Sequence, residues 1–177
     1  MAARIRKIAF VGSRQYPMTA AQAEELKISD FGEWAKAIQD GKKIVERWVD
    51  LVKENSPKRV MIISGGAGGP DTWAVEYAES LGLETKVFKA EWEKYGKSAG
   101  FKRNKLIVEA ADEVIAFWDL DSRGTDNSIA HAFRLQKPLI VVGPDGHPTF
   151  GAGEDDYAEI RSLRQPKKEE KMEVPRG

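Results

Sequence analysis

Three short stretches of this chain combine glycines with hydroxyl or charged side chains. They are Gly12-Ser13-Arg14, the run "SGGAGGPD" from Ser64 to Asp71, and "SRGT" from Ser122 to Thr125. Each follows an apolar run, "IAFV", "VMII" and "VIAFW" respectively. Glycine reaches positive φ and lets a ligand touch the backbone. A helix that starts directly after such a loop directs free N–H groups and a partial positive charge toward it. Arg14 adds a fork of donors suited to an oxyanion. The chemistry these residues suit is the binding of a phosphate or pyrophosphate group.

Other residues in these stretches have two readings each. Asp71 caps the helix that follows it or contacts a ligand. Trp118, in "FWD" before Asp119, is a core residue or a stacking platform. Trp92 and Tyr95 fall in "EWEKYGKSAG", which reads as a polar loop, and are expected to form a ligand lid. Trp73 and Tyr77 read as core, and His131 as a structural residue inside a helix. Two near-motifs fail. The "GKS" at 96–98 would need a glycine where Glu91 stands and a strand directly before it to be a P-loop. The 65–69 loop lacks the GxGxxG spacing, and Asp71 occupies the third glycine's place.

The elements that must position these groups are legible from periodicity. "KIAFVG", "RVMIIS", "ETKVFKA", "EVIAFW" and "PLIVVG" are short, apolar and bounded by turn residues, which predicts five strands. Helical spacing appears at Ile44, Val45, Trp48, Val49 and Val52, and again at Trp73, Ala74, Tyr77, Ala78 and Leu81. Pro70 suits a first helical position and Gly82 a helix end. "FKRNKLIVEAAD" and "SIAHAFRLQ" predict two further helices. Residues 15–40 form a helical insertion, with Thr19 and Gln22 spaced as a capping box and Asp30 and Glu33 repeating the pattern. Strands alternating with helices predict an α/β fold, a single Rossmann-like domain over 1–150 with a doubly wound parallel sheet of about five strands in the order 3-2-1-4-5. Ligands of such sheets bind beyond the carboxyl ends of the strands, where the order reverses. Residues 151–177 are expected to be a flexible charged tail.

Composition narrows the function classes. Among 177 residues, 28 basic side chains balance 28 acidic ones, so no global field draws the chain to nucleic acid or an anionic surface. There is no cysteine and there are only two histidines, which excludes disulfides and thiolate chemistry and leaves no metal site expected. No stretch has the length of a membrane span, and the apolar run near the start is too short for a signal peptide. The expected location is the cytoplasm.

In their order, "VGSR", "SGGAGGPDTWA", "EWEKYGKSAG", "RN", "AD", "IAFWD" and "SRGT" resemble the YspA-related branch of the SLOG superfamily, over about residues 8–142. The resemblance implies a Rossmann-like fold that binds nucleotides or nucleotide-derived ligands. By motif it implies binding positions at Gly12, Ser13, Arg14, Gly65, Gly66, Asp71, Arg103, Asn104, Asp119, Gly124 and Thr125. The strand-end and lid reading adds Ser64, Trp92, Trp118 and Ser122. The chain departs from its relatives in two places. Gly68 stands where the branch commonly has arginine. Ser128 stands where the LOG enzymes of the superfamily carry the glutamate of PGGxGTxxE, with Asp121-Ser122 in place of Pro-Gly. The insertion at 15–40 is longer than usual and is expected to form a lid or an oligomer contact.

The leading expectation is a small nucleotide-like ligand, such as an ADP-ribose or NAD derivative, with no other cofactor. One alternative is a phosphoribohydrolase or N-glycosidase, with Asp71 or Asp119 as candidate catalytic carboxylates. Another is single-stranded DNA binding, with Trp92, Tyr95 and Trp118 stacking beside Lys94, Lys97, Lys102 and Arg103. A homo-oligomer, formed through apolar helix faces, is a further expectation.

Overall fold

In the computed structural model, residues 4–56, 59–151 and 154–164 are described. The elements in chain order are β1 (Arg6–Gly12), α1 (Ala20–Ser29), α2 (Phe31–Glu54), β2 (Val60–Ser64), α3 (Pro70–Ser80), β3 (Glu84–Val87), α4 (Trp92–Tyr95), α5 (Ala99–Ala110), β4 (Glu113–Phe117), α6 (Arg123–Arg134), β5 (Leu139–Val142), β6 (Pro148–Gly151) and α7 (Glu154–Ser162). They build one sheet in the order β3-β2-β1-β4-β5-β6. The first five strands are parallel and β6 is antiparallel to β5.

The central strands are apolar on both faces because helices cover both. On one side Ile8, Phe10, Ile62, Ile115 and Phe117 pack with Val45, Val49, Ala74 and Ala78 of α2 and α3. On the other, Ala9, Val11, Ile63, Val114 and Ala116 pack with Ile107, Val108, Ile129, Ala132 and Ile160 of α5, α6 and α7. The chain thus switches faces between β1 and β4, and Gly12 pairs in register with Phe117 at that point. The carboxyl ends of β1 and β4 meet at the reversal, where this class of sheet binds ligands.

Local chemistry sets the helix ends. Thr19 and Gln22 close a reciprocal capping box on α1, and the Asp30 side chain accepts from the Glu33 N–H at the start of α2. Pro70 opens α3, and Gly82, at φ 76°, follows its end. Leu26 and the other α1 residues precede a single 24-residue helix, so the predicted 15–40 insertion is α1 plus the first turns of α2 rather than a separate unit.

Three expectations need correction. The sheet has six strands, not five: "GPDGHPTFG" makes a hairpin in which Gly146 adopts φ 81° and Gly143 N–H donates to His147 O. Pro148 is tolerated because β6 is an edge strand. The domain boundary at 150 therefore falls inside β6, and α7 continues the fold with Ile160 fully buried. Of the expected tail, residues 152–153 and 165–177 lie outside the described residues. The segment 92–98 is not a loop but the short helix α4 followed by a 3₁₀ turn at Gly96–Ser98. No helix among the described residues is long and apolar enough to cross a membrane.

Candidate functional site

A cavity of about 390 Å³ opens at the reversal point, a volume within the usual range for small-molecule sites. Of the sequence-derived candidates, Gly12, Arg14, Asp71, Trp92, Arg103, Asn104, Asp119, Ser122, Gly124 and Thr125 line it. These ten candidates come from the end of β1, the start of α3, α4, α5, the β4–α6 loop and the start of α6.

Two glycines show why the β1 and β2 ends fit together. A Cβ on Gly12 would stand 2.6 Å from the Pro70 ring, so only glycine lets α3 start against the end of β1. Gly69 caps α3 at φ 80° and ψ −138°, a conformation open almost only to glycine. A Cβ there would also stand 2.7 Å from Arg14 O.

Asp71 organises this corner. Its Oδ1 accepts from Gly12 N–H at 3.1 Å, and its Oδ2 accepts from Gly65 N–H at 3.2 Å and Ala67 N–H at 3.4 Å. Arg103, from α5, donates Nη1 to Gly65 O at 3.0 Å, and its Nε is buried without an acceptor. Burial raises the Asp71 carboxyl from 3.8 to about 6, against the opposing pull of the Arg103 charge and the hydrogen bonds from Ala67 and Gly65. Both oxygens are therefore engaged inside the protein. This arrangement suits a group that holds the loop in shape more than one that exchanges protons with a ligand.

The β4–α6 loop is built differently. Asp119 Oδ1 accepts from the N–H groups of Asp121 and Ser122 at 2.9 and 2.7 Å, and Leu120 between them adopts φ 68°. Ser122 caps α6 by accepting from Thr125 N–H. The first α6 residues, Arg123 and Gly124, carry N–H groups with no intrahelical acceptor. Ser13 ties this loop to β1: its Oγ accepts from Asp119 N–H at 3.2 Å and lies 3.2 Å from Thr125 Oγ1. Arg14, next along, is exposed and lines the cavity beside Lys97.

Five candidates do not line the cavity. Ser64 is fully buried and donates to Phe10 O, stitching β2 to β1. Ser13 is buried beneath the site and supports Asp119 and Thr125. Gly65 and Gly66 shape the loop from behind. Trp118 is fully buried in the α5–α6 core, with Nε1 donating to Ser122 O, so the stacking-platform alternative gives way to the core one. Sequence reasoning named Lys97 only for the DNA alternative and missed Val11, Gln15, Ala20, Ala67, Gly100, Phe101 and Asp121 as lining residues. Phe101 had a signal in its position at the start of an amphipathic helix, where an aromatic that faces no core is 47% exposed. Ala20, the first residue of α1, brings the 15–40 insertion to the cavity rim.

Chemically, the cavity offers cationic donors at Arg14, open helix-start amides at α6, free acceptors on Asn104 and Asp119, and an aromatic rim of Trp92 and Phe101. Ser128 lines it and donates to Gly124 O at 3.4 Å, so no carboxylate stands at that position. Tyr95 does not line it; its ring is engaged by Lys94 and Lys102 at 4.9 and 4.1 Å. No cluster of His, Asp or Glu able to hold a metal occurs among the described residues.

Comparison with known proteins fits this geometry. Residues 6–95, just over half of the chain, match the sequence profile of the YspA, cpYpsA-related SLOG family. The Gene 61 protein of Mycobacterium phage D29 is 34% identical over 104 residues, which cover 54% of this chain and 83% of that protein. Among solved structures, TM1055 aligns with a TM-score of 0.53 at 16% identity, over 87% of this chain and 79% of its own. DNA processing protein A from Helicobacter pylori, solved to study its single-stranded DNA binding mode, aligns with a TM-score of 0.52 at 19% identity. That alignment covers 90% of this chain and 74% of the other. At these identities the two structures speak for the fold alone.

Proposed function

The chain belongs to the YspA, cpYpsA-related SLOG family, and from that premise we propose that its cavity binds a nucleotide or nucleotide-derived ligand of the ADP-ribose or NAD type. One observation carries the proposal: Arg14 and the first residues of α6, Gly124 among them, line the same cavity as an exposed aromatic rim. The first two favour phosphate oxygens by charge and hydrogen bonding. Trp92, 51% exposed, and Phe101 give a planar base a surface to stack on. A cavity that offers both a cationic donor set and an aromatic surface suits a nucleotide, which carries a phosphate and a base.

Calorimetric titration of the chain with nucleoside monophosphates, ADP-ribose and NAD tests the proposal. Binding of at least one compound, lost in Arg14→Ala, is the expected result. A flat titration with every compound rejects it.

A second reading, single-stranded DNA, is favoured by the same exposed Trp92 and Phe101 beside Lys97, because stacked bases and a cation suit a strand as well as a mononucleotide. A gel shift with single-stranded oligonucleotides that weakens steeply with salt would support it. Absence of any shift at low salt removes it.

A further inference from the structure

We infer that the ligand of this cavity carries a vicinal hydroxyl pair, read by Asn104 and Asp119, so that the site takes ribonucleotides in preference to their deoxy counterparts. The inference rests on the nucleotide-binding proposal and adds the sugar class to it.

Asn104 lines the cavity from α5 and is only 7% exposed. Its Nδ2 donates to Gly124 O at 3.2 Å and to Asn127 Oδ1 at 3.4 Å. Gly124 O is a carbonyl and can only accept, so the amide cannot turn over without setting oxygen against oxygen. Oδ1 is thereby held toward the cavity with no partner among the described residues. Asp119 is 6% exposed and also lines the cavity. Its Oδ1 is spent on the Asp121 and Ser122 amides, while its Oδ2 has no partner among the described residues. Neither free oxygen is sealed from the cavity, since the only fully buried unpartnered side-chain atoms among the described residues are Arg103 Nε and Asp126 Oδ1.

A ligand that strips water from these two acceptors and offers no donor leaves both unpaired, at a cost. Phosphate oxygens accept and do not donate in their ionised form. A ribose offers two adjacent hydroxyl donors, and the 2′-hydroxyl is the group by which a protein tells ribose from deoxyribose. Position also favours the sugar over the exocyclic amine of a base. Asp119 belongs to the β4–α6 loop, and Asn104 is bonded to Gly124 of the same loop. Both acceptors thus adjoin the α6 helix start assigned to phosphate, as the sugar adjoins phosphate in a nucleotide.

The test is calorimetric titration of the wild-type chain with AMP, GMP, CMP, UMP and ADP-ribose, and with their 2′-deoxy and 3′-deoxy counterparts. The deoxy forms are expected to bind roughly 10- to 100-fold more weakly than the matching ribose form. Asp119→Asn keeps Oδ1 for the turn but converts the free acceptor into a donor, and Asn104→Leu removes the other acceptor. Each is expected to bring the ribose-to-deoxyribose ratio toward one. Equal wild-type affinity for both sugars overturns the inference and leaves the nucleotide proposal standing. No binding by any compound overturns both. A ratio that survives in both variants overturns the assignment to Asn104 and Asp119.

Discussion

The β2–α3 and β4–α6 junctions both lead glycines into the start of a helix, and the fold uses them in opposite ways. At β2–α3 the amides of Gly65 and Ala67 are consumed by Asp71, and Pro70 brings no N–H at all. The carboxylate of the chain itself occupies the place a ligand anion would take. At β4–α6 the aspartate, Asp119, turns back on its own loop, Ser122 caps the Thr125 amide, and the Arg123 and Gly124 amides have no intrahelical acceptor. The glycine-rich junction is thus a structural corner, and the plainer one is where the proposed site binds its ligand. Glycine content marks where backbone comes close, and the acceptor nearest the amides decides what comes close to it.

Breaking the closed junction is expected to give the largest effect. Asp71→Ala leaves three amides without their acceptor and takes a carboxylate from beside the Arg103 guanidinium, and is expected to lower the unfolding free energy by about 4 kcal/mol, read by urea denaturation. The wild type should also show the Asp71 proton in its pH profile. Its folded-state value of about 6 lies above its ordinary 3.8. Between these values the folded chain holds a proton that the unfolded chain has released. The contribution is therefore full below about pH 4 and falls by about 3 kcal/mol as pH rises past 6. Asp71→Asn cannot titrate, so its stability should lack that fall.

The glycines of the two junctions should respond with opposite sign. Gly69→Ala forces a side chain into positive φ against Arg14 O and is expected to cost about 2 kcal/mol of stability. Gly124 is in helix α6, and a Cβ there would meet nothing nearer than Ser122 Oγ at 4.0 Å. Gly124→Ala is expected to gain about 0.5 kcal/mol in stability while weakening ligand binding, because the methyl stands over the open amides. Thermal melts and titrations of both variants would show it. Equal losses of stability at both glycines would erase the contrast.

The sequence carried the five parallel strands, their order and the reversal point, because each is encoded by local apolar runs and by connection rules. It carried the caps at Thr19, Asp30 and Pro70 for the same reason. What it did not carry depends on partners far along the chain. Asp71 could cap a helix or meet a ligand until the Gly12 amide, from β1, appeared beside it. Trp118 has the same neighbours in sequence whether it faces the cavity or the α5–α6 core, and only the pleat of β4 against its helices decides between them. β6 was obscured by its brevity and by Pro148, although its Asp145-Gly146 turn was on view. Phe101 and Lys97 enter the site only because α4 folds the preceding segment over it.

The contrast between the junctions is tested most directly by NMR amide shifts of the ¹⁵N-labelled chain during titration with ADP-ribose. The predicted result is large shifts at Arg123, Gly124 and Thr125 with Gly65 and Ala67 little changed. Shifts concentrated at Gly65 and Ala67, or none at any of these amides, would contradict it.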